Sequence, residues 1–131
     1  MYLSPAVIKR RLRVLIRAMA KRPPHAYRHF DMCSFLGHWG DDRHPVPQST
    51  SEFLHQCGTT ACAMGFAATM PYFRKLGLRF KRDGRLNKPD VITGHQNYLW
   101  DELFGGNNMD KSPQAWAKRA ANVLKDIDRY L

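Results

Sequence analysis

Five apolar residues, Ile8, Leu12, Leu15, Ile16 and Met19, recur at the spacing of one helical face, and prolines bracket the stretch on both sides. Ser4 offers an oxygen to the unpaired N–H groups of a first turn, and Pro5 suits the first helical position, where a missing N–H costs nothing. Pro23 and Pro24 close the segment, because proline cannot donate to the ladder and drives its predecessor toward extended backbone. The spacing therefore predicts a helix over residues 5 to 21. Its apolar stripe needs a core to lie on, and a chain of 131 residues is long enough to build one. Hydrophobic residues at 44% and charged residues at 24% are ordinary for a folded chain and exclude disordered or collagen-like classes. A single domain over 1–131 is expected.

Beyond the first helix the pattern becomes shorter and mixed. Residues 29 to 35 read as extended, and residues 37 to 51 read as one long loop of Gly, Pro, Asp and Ser/Thr without periodicity. A central, almost wholly apolar helix is predicted over residues 62 to 70, capped by Thr59 or Thr60, with Gly65 and the alanines permitting close approach of neighbouring backbones. Pro71 restarts or kinks that helix and Gly77 ends it. Leu78-Arg79-Phe80-Lys81, the turn Asp83-Gly84 and Arg85-Leu86 predict a two-stranded hairpin with one cationic face. A third helix is expected over residues 89 to 104, with Tyr98, Leu99, Leu103 and Phe104 on its apolar side. A fourth opens at Ser112-Pro113 and carries Trp116, Ala120, Val123, Leu124, Ile127 and Leu131 on one stripe. The fold class that follows is mostly helical α+β, with about four helices and a small β-hairpin.

Charge is the unusual quantity. Lys and Arg number 21 against 11 Asp and Glu, a formal net charge of +10, which points to an acidic macromolecular partner. The excess is concentrated: residues 1–28 hold Lys9, Arg10, Arg11, Arg13, Arg17, Lys21, Arg22 and Arg28 and no acid. On the first helix Arg10, Arg13, Arg17 and Lys21 are spaced to form one solvent-facing ridge. Arg74, Lys75, Arg79, Lys81, Arg82, Arg85 and Lys88 form a second cluster, interrupted only by Asp83. The ridge and the ribbon residues Arg79, Lys81, Arg82 and Arg85 are candidates for phosphate contact. No helix-turn-helix or zinc-finger pattern accompanies them, so base-specific reading in a groove is not expected. Trp39, Trp100 and Tyr27 are aromatics that can stack on bases, whereas Trp116 belongs to a core stripe. No apolar run approaches the length of a membrane span, and a cytoplasmic protein is expected.

Three cysteines, Cys33, Cys57 and Cys62, are too few and odd in number for a disulfide framework. Three readings compete for His55-Gln56-Cys57-Gly58-Thr59-Thr60-Ala61-Cys62. In the first, both thiols are small core hydrophobes ahead of a capped helix. In the second, Cys57 is a nucleophile whose thiolate is favoured by a helix N-terminus. In the third, His55, Cys57 and Cys62 join one of Cys33, His38 or His44 around zinc, although His-x-Cys-x4-Cys lacks the tight knuckle spacing such sites use. The nucleophile reading has a further support, because Cys-Gly at the start of an Ala/Met-rich helix resembles papain-like peptidases of the bacteriocin-processing kind. That resemblance implies His95 as base, with Asp101 or Asn107 orienting it. His38 and His44 with Asp41 and Asp42 read as a solvated loop, and Asp101, Glu102 and Asp110 as an exposed helix side and exit.

Phe30-Asp31-Met32, followed by Cys57-Gly58-Thr59-x-Ala61-Cys62-Ala63-x-Gly65, resembles a family of small phage and bacterial proteins without an assigned activity. The likeness covers residues 26 to 130 and implies a helical α+β fold and a mobile-element origin. Together with the charge, it leads to the expectation of a non-enzymatic accessory protein without a cofactor. Its partner would be nucleic acid or a nucleoprotein complex of a host defence, and a cysteine hydrolase using Cys57 and His95 is the alternative.

Overall fold

Helix α1 (Pro5–Lys21) forms where its capping residues place it. The Ser4 hydroxyl accepts from Val7 N–H at 3.3 Å and the Ser4 carbonyl from Ile8 N–H at 3.1 Å, which satisfies donors the first turn would otherwise leave open. Ile8, Leu12, Leu15 and Met19 are buried, as their spacing requires, while Ile16 at the stripe's edge is half-buried. Burial of each such side chain contributes about 1.5–3 kcal/mol before chain entropy is counted. In this computed structural model the described residues are 2–21, 37–38, 59–60, 63–80, 86–105, 110 and 112–131.

Two short antiparallel pairs accompany the helices. Strand β1 (Gly37–His38) pairs with β2 (Thr59–Thr60), Gly37 opposite Thr60 and His38 opposite Thr59. This corrects two expectations: the segment read as a loop over 37–51 begins as strand, and Thr59 and Thr60 lie in that strand, upstream of the helix they were expected to cap. The central helix is also shorter than its composition suggests. Helix α2 (Ala63–Ala67) ends in a tightened turn in which Thr69 and Met70 N–H donate to Phe66 and Ala67 carbonyls, each at 3.0 Å. Met70 is extended (φ −82°, ψ 131°), as a residue ahead of proline prefers, and helix α3 (Pro71–Lys75) restarts with proline at its first position. Gly77, at φ +101°, then ends that segment, a conformation an L side chain rarely tolerates.

Strand β3 (Arg79–Phe80) pairs with β4 (Leu86–Asn87), Arg79 opposite Asn87 and Phe80 opposite Leu86. The turn expected at Asp83-Gly84 lies outside the described residues. Residues 89 to 104 do not form one helix. Pro89–Val91 make a single 3₁₀ turn, and the chain then bends through Gly94 (φ +61°), whose N–H donates to the Asp90 carbonyl at 2.7 Å. Helix α4 (Asn97–Phe104) starts only after that bend. Helix α5 (Pro113–Lys125) is capped by Ser112, whose hydroxyl accepts from Ala115 N–H at 3.0 Å, and is followed by a 3₁₀ turn, Ile127–Arg129.

The described elements share one core, into which Leu12, Leu15, Met64, Phe73, Leu78, Ile92, Leu99, Leu103 and Trp116 are fully withdrawn. Among these elements α1 makes its most extensive contact with α5. The result is a mostly helical α+β fold, with α1 laid across the C-terminal helix and its outer side turned to solvent.

Candidate polyanion-binding face

The packing of α1 decides what its outer side presents. At about 100° per residue, Arg10, Arg13, Arg17 and Lys21 all fall within about 50° of the line directly opposite the buried stripe. All four are exposed, and none is in an ion pair with a described residue. They span about 16 Å along the axis at 1.5 Å per residue. The helix itself contains no acid, so no residue of α1 offsets the charge of the ridge.

The two cations on the flanks serve the fold instead. Lys9 Nζ lies 3.1 Å from the Asp128 carboxylate and ties α1 to the C-terminal 3₁₀ turn. On the other flank Arg11 Nη1 donates to the Val91 carbonyl at 2.5 Å, holding the turn that precedes α4. Spacing alone separates these roles: residues on the meridian opposite the core face water, and those a quarter-turn away reach neighbouring elements.

Of the ribbon residues, Arg79 is described, and it is exposed on β3. Lys81, Arg82 and Arg85 lie outside the described residues. Arg74 is half-buried, its Nη1 at 3.4 Å from the Ala68 carbonyl, while Lys75 and Lys88 are exposed. The structure thus brings the four ridge cations together and places Arg79 on a separate element.

His55, Cys57, Cys62, Cys33, His44 and Asn107 lie outside the described residues, and His38 is described in backbone alone. Helix α2 is described over Ala63–Ala67, and the stretch between Cys57 and Thr59, where the nucleophile reading needs its helix N-terminus, lies outside the described residues. His95 is exposed in the turn before α4, and Asp101 is exposed on α4 itself. Among the described residues no group of three His, Cys, Asp or Glu could hold a metal ion, and no helix is long and apolar enough to cross a membrane.

Three side chains behave differently from expectation. Tyr98, assigned to the apolar side of its helix, is 83% exposed. With the helix starting at Asn97, Leu99, Leu103 and Phe104 define the buried arc, and Tyr98 lies opposite its centre. Trp100, considered for base stacking, is half-buried and packs on the Phe104 ring at 5.1 Å. Asp110, expected in solvent, has a side chain only 11% exposed and binds Arg119, whose Nε and Nη2 stand 2.8 and 2.7 Å from Oδ2. Tyr98, Arg129 and Tyr130 line an open recess on the surface, a grouping that joins α4 to the chain's last turn and that no spacing in the sequence announces.

Comparison with known protein families, curated proteins and solved structures finds no match for this chain. The likeness to small phage and bacterial proteins accordingly rests on its motif residues alone.

Proposed function

We propose that this chain is a non-enzymatic nucleic-acid-binding protein that holds the phosphate backbone along α1. The observation that carries this reading is the ridge: four cations, all exposed, all opposite the buried stripe, on a helix without an acid. Solubility alone asks for charges of both signs dispersed over the surface, whereas a single-sign row about 16 Å long matches a polymer carrying regularly spaced phosphates. Arg79 on β3, with Lys81, Arg82 and Arg85 beyond it in the sequence, supplies a second phosphate contact. Contact through a ridge of this kind is independent of sequence, because phosphates position a protein without identifying bases. An accessory protein of a mobile element, acting on a host nucleoprotein complex, is the setting that the motif resemblance suggests.

Fluorescence anisotropy with labelled duplex DNA, single-stranded DNA and RNA tests this, with Arg13→Glu/Arg17→Glu as the comparison. The wild type should bind at low salt and the variant, in which two ridge cations become anions, should lose most of that affinity. Binding confined to an acidic polypeptide would transfer the partner to the class of proteins.

A further inference from the structure

The recess formed by Tyr98, Arg129 and Tyr130 adds what the ridge lacks, a surface for bases. Tyr98 is a large aromatic with 83% of its surface in solvent, although Phe66, Phe73, Phe104 and Trp116 are all buried. Tyr130, which also lines the recess, is partly packed on the core, which fixes its place in the wall. Arg129 is held only loosely among the described residues: the Asp126 carboxylate stands 4.0 Å away, and both side chains are mostly exposed, a pairing worth little in water.

The location is as informative as the composition. Asp128, the residue before Arg129, is bound to Lys9 of α1 at 3.1 Å. Lys9 and Arg13 are neighbours one turn apart on that helix, and Arg13 is a ridge residue. The turn that carries Arg129 and leads to Tyr130 is thereby tied to the flank of α1 on which Lys9 lies. Tyrosine faces flanked by a guanidinium accept a planar base by stacking and cation–π attraction, and any base suffices because each has a π-face. A base paired inside a duplex has no free face to offer, so such a platform acts on single strands.

We infer that Tyr98, with Tyr130 and Arg129, is a base-stacking platform, and that the nucleic acid held along α1 is single-stranded. This rests on the phosphate-binding reading of the ridge and goes beyond it in naming the strand state. The test measures affinities of the full chain for a 12-nucleotide single-stranded DNA, the same sequence as RNA, and the corresponding duplex. Tyr98→Ala should weaken single-strand binding about 5- to 150-fold, the range that base–aromatic stacking supplies. Tyr98→Phe, which keeps the ring, should bind like the wild type. Duplex affinity, owed to phosphate contacts alone, should be unchanged in both variants. Unchanged single-strand affinity in Tyr98→Ala, alongside a loss in Arg13→Glu/Arg17→Glu, would overturn the platform and leave the ridge standing. Failure of the wild type to bind any of the three would overturn both. Because Tyr98 is exposed, circular dichroism should show the same folded content in every variant.

Discussion

The indole N–H of Trp116 meets the main-chain carbonyl of Leu103 at 2.7 Å, inside the core and between α5 and the end of α4. Arg119, one turn further on, brings Nη2 to the same carbonyl at 3.2 Å, gives Nη1 to the Glu102 carbonyl, and binds Asp110. Carbonyls in the last turn of a helix have no partner within it, so these two side chains terminate α4 from a neighbouring element. Phe104 stacks on the Trp116 ring at 5.8 Å and completes the joint.

Removing either donor should be felt differently. Trp116→Phe keeps most of the packing and leaves Leu103 its Arg119 contact, so a loss of about 1–2 kcal/mol is expected. Arg119→Met strands a mostly buried carboxylate as well as a helix end and should cost about 2–3 kcal/mol. Adding Asp110→Asn to the Arg119→Met variant should recover part of that loss. Urea denaturation checks this, with Trp116→Phe measured by itself and Arg119→Met, Asp110→Asn and their combination read as a double-mutant cycle.

On α1 the two sides should respond in opposite ways. Leu12→Ala empties a fully buried position and is expected to cost about 2–5 kcal/mol of stability. Arg13→Ala, one residue along and exposed, should change stability by no more than about 0.5 kcal/mol. Thermal or urea unfolding distinguishes these directly, and a large loss in Arg13→Ala would place that residue in the fold instead of the binding face.

Much of this organisation is legible in the sequence, and the reasons are local. The α1 stripe, its Ser4 cap, the Ser112 cap and the burial of Trp116 each follow from spacing or from a terminal residue whose chemistry has few alternatives. The restart at Pro71 obeys an equally local rule, the aversion of a residue before proline to helix, and is legible too, whereas the end of α2 at Ala67 is masked because Ala68 and Met70 prolong the apolar run. Tyr98 is misplaced by taking an apolar body for a core position: at about 100° per residue it lies nearly opposite the arc of Leu99, Leu103 and Phe104 wherever the helix begins, while a helix drawn from residue 89 hides the bend at Gly94. The pair of Asp110 and Arg119 and the recess beside Tyr98 are tertiary. They join residues across loops, where no periodicity carries the signal.

Thr93 offers a prediction of opposite sign to the usual one. It is fully buried and its hydroxyl has no hydrogen-bond partner among the described residues, an arrangement that leaves a desolvated polar group uncompensated. Thr93→Val, similar in shape and without the hydroxyl, should stabilise the protein by about 1 kcal/mol. A shift of the urea midpoint to higher concentration is expected, and a shift downward would show that the hydroxyl is engaged.

The salt dependence of nucleic-acid binding tests the ridge most directly. Displacing counterions from single strands gives log K against log salt a slope of about −0.7 per phosphate neutralised, so four ridge cations predict a slope of about −3. The Arg13→Glu/Arg17→Glu variant should bind more weakly at every salt concentration, with a slope shallower by about 1.4 or more. The same steep slope in wild type and variant, or no binding at low salt, would contradict a phosphate-binding role for α1.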